Sequence, residues 1–232
     1  MAPASYRDLC LVCNRARKTC FCKYTKPFQT RTRFVILMHP KEFKRQRTGT
    51  GRVTNLSLIG SRIFVGEDFT QHTELNAMLA DTALRPFLLF PGASAINLSA
   101  EPLPPGADNQ VPLVIILDAT WQSARKMLRL SQNLGALPRI TFGYEAASRF
   151  VIKRQPYLQA LSTIEAVYHV LQNLERTGYE RLENRHAALL ETLNAIVDFQ
   201  LRCAADPALP SHRLGKKSAE RVVSAAPARA GL

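Results

Sequence analysis

The run Val111-Pro-Leu-Val-Ile-Ile-Leu117, ended by Asp118, constrains this chain more than any other stretch. A near-continuous apolar run of this length, without helical spacing, reads as a strand buried on both faces. Such a strand belongs in the middle of an α/β sheet. Thr120 then supplies an N-cap, and a helix begins with Trp121, Ala124 and Leu128 on one side. In open α/β sheets the crevice beyond the carboxyl end of a central strand is where ligands bind. Asp118 is therefore a site residue, or, more simply, a cap on the helix that follows.

The rest of the chain reads in the same alternating manner. Arg33-Phe-Val-Ile-Leu-Met38 is a first strand, Ile63-Phe-Val65 a second, Pro86-Phe-Leu-Leu-Phe90 a third and Arg139-Ile-Thr-Phe142 a short fourth. Helices are expected around Val53 to Ile59 and over Glu74 to Leu84. Ser162-x-x-Glu165 is a capping box opening a helix to about Arg176, which Gly178 ends. A last amphipathic helix covers Leu182 to Ala204. His39 at the end of the first strand is either catalytic or a loop anchor. Pro91-Gly92 makes a sharp break with an accessible backbone, though a simple turn explains it as well. The basic loop Lys44 to Arg52 contains Gly49 and Gly51 but lacks the G-x₄-G-K-[ST] spacing, which argues against a nucleoside triphosphatase.

Cys10-x₂-Cys13-x₆-Cys20-x-Cys22 places two close thiol pairs on either side of a basic turn. Disulfides within loops this short would be strained, whereas a tetrahedral four-sulfur zinc site accommodates both spacings. A closed site of this kind leaves no position for water, so the metal is expected to be structural. Cys203, on the last helix, reads as a small buried residue.

Charge is uneven. The chain carries a net +13, and residues 1 to 52 hold thirteen Lys or Arg against only Asp8 and Glu42, which is +11 of it. A basic surface concentrated in one segment suits a polyanion such as RNA, the bland alternative being a solvated charged face. No apolar run reaches the length of a membrane span and the first residues lack a signal-peptide core, so a cytoplasmic setting without membrane contact is expected. The chain divides into a zinc-binding basic segment over residues 1–30, a main domain over 31–204 and a flexible basic tail over 205–232.

Taken in order, the cysteine set, His39-Pro-x-Glu42, Leu89-Phe-Pro91, Asp118-x-Thr-Trp121 with Ala124-Arg-Lys-Met127, and Leu161-Ser-Thr-x-Glu-Ala166 make the chain resemble the DTW-domain family of tRNA-uridine aminocarboxypropyltransferases. The resemblance covers about residues 8 to 200. The segment Thr48-Gly49-Thr50-Gly51-Arg52 departs from it, with Gly49 where asparagine is usual, and loop 91 to 95 lacks a serine directly after the proline.

The resemblance implies a SPOUT-like fold: a mainly parallel sheet with helices on both faces and a C-terminal trefoil knot, preceded by a small zinc knuckle. Threaded chains are nearly absent from folded proteins, so the knot rests on the resemblance alone. It further implies S-adenosylmethionine as co-substrate, tRNA as partner and transfer of the 3-amino-3-carboxypropyl group to N3 of a uridine. The loops after Leu89, Leu117 and Tyr157 would converge on the cofactor. Its binding residues would be Leu89, Phe90, Pro91, Leu117, Asp118, Thr120, Trp121, Arg154, Leu161, Ser162 and Thr163. Asp118 would serve as base toward the uridine or would orient the cofactor. Trp121 would line the pocket or stack on the base, or else lie buried in the core. Arg15, Arg17, Lys18, Lys44, Arg45, Arg47, Arg52, Arg125 and Lys126 would meet the tRNA. Two rivals stand beside this reading: an RNA methyltransferase on the same fold, and a noncatalytic zinc-ribbon RNA-binding protein.

Overall fold

The structure is a computed structural model that describes residues 10–13, 15–45, 49–107, 110–143, 148 and 161–205. Arg47, Arg154, Tyr157 and the tail from residue 206 onward lie outside the described residues, as do the side chains of Lys18 and Arg45.

Six strands form one parallel sheet: β1 (Arg33–Met38), β2 (Arg62–Val65), β3 (Leu84–Leu89), β4 (Ile96–Asn97), β5 (Val111–Asp118) and β6 (Arg139–Thr141). Their order is β2-β1-β5-β3-β6-β4. The apolar run is thus an interior strand. β5 pairs with β1 from Leu113 to Asp118 on one side and with β3 from Val111 to Ile116 on the other. All the strand pairs are parallel.

Both faces of β5 are buried, as the continuous apolar run requires. Val114 and Ile116 join Phe34 and Phe87 in one core, while Leu113 and Ile115 join Val35, Leu37 and Leu88 in the other. Between β1 and β2 lie a short α1 (Pro40–Arg45) and α2 (Thr50–Ser57); later come α3 (Thr73–Ala80), α4 (Trp121–Leu130), α5 (Gln132–Gly135), α6 (Thr163–Arg176) and α7 (Ala187–Ala205). The first core is closed by Val53 of α2, Val167 and Leu171 of α6 and Leu193 of α7. The second is closed by Leu75 of α3, Met127 of α4 and Leu134 of α5. Each such side chain, fully withdrawn from water, contributes on the order of 2 kcal/mol.

Several element ends differ from the sequence reading. α3 stops at Ala80 because Leu84 is already paired with Val111 at the start of β3. The last helix begins at Ala187 rather than Leu182, since Glu183 and Asn184 adopt left-handed backbone conformations and Leu182 is buried as a plug before the turn. On α4 the buried positions are Ala124 and Met127, with Leu128 only partly covered and Trp121 37% exposed, because the first turn faces a cleft. Cys203 is buried, as expected. Among the described residues no helix is long and apolar enough to cross a membrane.

The cysteine-bearing segment packs on the main body. Cys13, Phe21 and Phe28 belong to the same core as α6 and α7, and Thr192 of α7 donates its hydroxyl to the Tyr24 carbonyl at 2.9 Å.

Candidate active site and cysteine cluster

A cleft of about 300 Å³ opens where β3, β5 and β6 end and α4 and α6 begin. Its lining includes Leu89, Phe90, Pro91, Leu117, Ala119, Trp121, Thr141, Phe142, Leu161 and Thr163. Phe90 and Trp121 pack with ring centroids 5.8 Å apart and their planes tilted by 58°. The Arg139 guanidinium lies over the Phe90 ring, 5.7 Å from its centroid. The resulting slot is concave and mostly apolar with a few polar groups, the composition of a small-molecule site.

Asp118 sits between two of the lining residues and is 8% exposed. Thr163 Oγ1 donates to Asp118 Oδ1 at 2.5 Å, linking the carboxylate to the first turn of α6. The Asp118 carbonyl accepts from His39 N at 3.1 Å, which fixes it to the end of β1. On the third side is α2. A Cβ added to Gly51 would lie 2.7 Å from Asp118 Cγ, so glycine alone lets the first turn of α2 approach the carboxylate this closely. The N-terminal ends of α2, α4 and α6 therefore meet around one buried carboxylate, and each end carries partial positive charge.

The capping alternative for Asp118 is excluded by Thr120, whose side chain is the N-cap of α4 and accepts from Ser123 N at 3.3 Å. Ser162 and Glu165 form the expected capping box: Ser162 N donates to Glu165 Oε2 at 2.8 Å, and the Ser162 hydroxyl donates to the same oxygen at 2.6 Å. His39 is an anchor. Its Nδ1 accepts from Lys41 N at 3.1 Å and its Nε2 lies 3.3 Å from Glu67 Oε1.

Of the expected cofactor residues, Leu89, Phe90, Pro91, Leu117, Trp121, Leu161 and Thr163 line the cleft, with Asp118 and Ser162 beside it and Thr120 at its α4 corner. Sequence reasoning missed four contributors. Gly51 was read as part of a loop, Arg139 as the start of a strand, and Thr141 and Phe142 as strand residues without a site role. No local signal marks Arg139, and the close approach at Gly51 depends on Asp118, far along the chain.

The four cysteine sulfurs lie within 4.8 Å of one another. Cys10 Sγ and Cys22 Sγ are 3.9 Å apart, Cys13 Sγ and Cys20 Sγ 3.7 Å. Four sulfurs at about 2.3 Å from a zinc ion would be about 3.8 Å apart, so the donor set fits a tetrahedral metal. Backbone donors at Cys13 and Val12 lower the Cys10 thiol to about 6, while burial raises Cys13 and Cys22. A cation resolves that conflict, since it lets buried thiols ionise together.

The basic residues divide. Arg17, Lys44, Arg125 and Lys126 are exposed. Lys126 is paired with Glu67 at 2.5 Å and holds that carboxyl below the usual carboxylate range. Arg15 is buried, its guanidinium 5.1 Å from the Phe21 centroid, which gives it a packing role inside the cysteine segment. Arg52 stacks on Phe43 at 4.3 Å.

The family model for the DTW domain matches residues 7–201. The chain belongs to the DTW domain family. Curated relatives include "tRNA-uridine aminocarboxypropyltransferase 2" of Macaca fascicularis, 27% identical over 92% of this chain and 70% of that protein. The protein of the same name from Mus musculus is 28% identical over 86% of this chain and 65% of its own length. "tRNA-uridine aminocarboxypropyltransferase A" of Arabidopsis thaliana is 26% identical over 91% of this chain and 87% of its own. No solved structure matches. In this DTW-domain chain the Asp118-Ala-Thr-Trp121 motif spans the end of β5 and the start of α4, supplying the carboxylate, the helix cap and one aromatic wall of the cleft.

Proposed function

We propose that this DTW-domain protein transfers the 3-amino-3-carboxypropyl group of S-adenosylmethionine to N3 of a uridine in tRNA, releasing methylthioadenosine. The observation that carries the reading is the buried carboxylate of Asp118, gathered with Thr163 and Gly51 at the edge of an aromatic-walled cleft. The names of the relatives supply the substrate and the group transferred.

The cleft suits the cofactor chemically. The ring faces of Phe90 and Trp121 attract a sulfonium, and the backbone around Leu161 to Thr163 suits an adenine edge. The cofactor would supply an electrophilic carbon next to that sulfonium. The chain's own part is positioning, because which carbon faces the nucleophile decides the product. Uridine N3 carries a proton at neutral pH, and Asp118, at the edge of the cleft, would take it. Thr163 orients the carboxylate through its hydroxyl hydrogen bond.

The fold that goes with this function is the SPOUT-type knot. It is supported by the meeting at one cleft of the chain segments after β3, after β5 and at the start of α6. The cysteine cluster would hold structural zinc, and the zinc segment with the 44–52 region would grip the tRNA backbone.

Carboxyl-labelled and methyl-labelled S-adenosylmethionine, supplied in parallel with tRNA, test the reaction. Label should enter tRNA from the carboxyl-labelled donor alone. Label from the methyl donor alone would instead make the protein a methyltransferase. No cofactor binding by calorimetry with tRNA present would favour a noncatalytic RNA-binding protein.

A further inference from the structure

We infer that Phe43 and Arg52 form a stacking platform for a nucleobase of the bound tRNA, beside Asp118 and on the opposite side from the aromatic cleft. The inference rests on tRNA being the substrate. Large apolar side chains exposed among the described residues include two aromatics, Trp121 and Phe43. Trp121 belongs to the cleft. Phe43, on α1, is 42% exposed and packs in neither of the two cores.

The ring is not loose. The Arg52 guanidinium lies over it at 4.3 Å from the centroid, and Arg52 Nη2 donates to the Phe43 carbonyl at 2.8 Å. Both planar groups are thus fixed before any ligand arrives, which lowers the entropy cost of stacking. Aromatic rings and guanidinium planes are the surfaces on which unpaired bases stack.

Backbone connections tie the segments that bear the pair to Asp118. Phe43 N donates to the His39 carbonyl at 3.1 Å, and His39 N donates to the Asp118 carbonyl at the same distance. Arg52 directly follows Gly51, which lies against the Asp118 carboxylate. The platform's helices, α1 and α2, follow β1, whereas the cleft is lined from β5 and, on its other side, β3 and β6. Asp118 therefore stands between a slot suited to a small cofactor and a ledge suited to a base. Lys41 and Lys44, both exposed on α1, complement the phosphates flanking such a base.

The test is tRNA binding by the full-length, cofactor-saturated protein across a salt series, with wild type, Phe43→Ala, Phe43→Leu and Phe43→Tyr. Loss of one base–aromatic stack should weaken binding about tenfold in Phe43→Ala and Phe43→Leu. Phe43→Tyr should bind as wild type. The slope of log Kd against log salt should stay unchanged in all of them, because no phosphate contact is lost. Affinity unaltered in Phe43→Leu would overturn the platform, since bulk without a ring would then suffice. So would a weakening shared equally by Phe43→Tyr. If Phe43→Ala fails to fold, the leucine and tyrosine variants decide the matter alone. Failure of the transfer reaction would appear separately, as wild-type protein that binds tRNA through Phe43 yet modifies no uridine.

Discussion

Among single residues, Asp118 and the two groups that hold it, Thr163 and Gly51, decide the chemistry of the cleft. Asparagine at 118 can still accept from Thr163, so Asp118→Asn should fold normally and bind S-adenosylmethionine as wild type. Loss of a positioned base should slow single-turnover transfer by about 10²- to 10⁴-fold. A variant with unchanged turnover and weakened cofactor affinity would make Asp118 a cofactor-orienting group instead. Gly51→Ala separates local propensity from close packing. Alanine is favoured over glycine within a helix by about 1 kcal/mol, yet here its Cβ would lie 2.7 Å from Asp118 Cγ. The melting temperature should therefore not rise. Transfer should fall by about 10²-fold, the cost of misplacing a reacting group by roughly 1 Å. Asp118 was legible because its own neighbours in sequence announce a strand end. The role of Gly51 was not, because it depends on a contact with a residue far along the chain.

At the scale of elements, the strongest sequence signals were those that one segment carries by itself. The apolar run of β5, the Thr120 cap of α4, the capping box of α6 and the cysteine spacing all appear where they were read. The two-residue β4 and the short α1 and α5 carry no periodicity long enough to read, and their existence depends on neighbours: β4 on its pairing with β6, α5 on the burial of Leu134. The cysteine segment offers a test at this scale. Cys13 and Phe21 share a core with α6 and α7, so Cys13→Ser, or chelation of zinc, should expose amides around residues 10–28 to hydrogen exchange while β5 stays protected. tRNA affinity should fall with it. Stoichiometric zinc and normal tRNA affinity in Cys13→Ser would contradict the metal's structural role. The start of α7 offers another. His186 is buried, with Nδ1 3.2 Å from Glu175 Oε2 but outside hydrogen-bond geometry. Burial lowers its pKa, and Glu175 opposes that only in part. The unfolded chain then takes up a proton that the folded chain does not, so this residue's stability contribution is present above pH 6.5 and is lost as pH falls below it. Denaturant midpoints should drop between pH 7 and pH 5, and less so in His186→Gln.

At the scale of the whole molecule, the +13 charge is a statement about its partner. If some six to ten cationic groups meet phosphates, tRNA affinity should fall by about 10³-fold or more between 50 and 200 mM salt. A nearly flat salt dependence would make the basic surface a solvated face. The sheet order sets the basic helices beside the cleft: β5 lies in the interior, the cleft opens toward β3 and β6, and α1 and α2 follow β1. Asp118 stands at the seam. The most direct measurement is mass spectrometry of nucleosides from unmodified tRNA incubated with the protein and S-adenosylmethionine. The proposed transfer gives one uridine bearing the 3-amino-3-carboxypropyl group for each methylthioadenosine released, and at least about 10²-fold less product in the same time with Asp118→Asn. A methylated nucleoside with S-adenosylhomocysteine, or full product from Asp118→Asn, would contradict it.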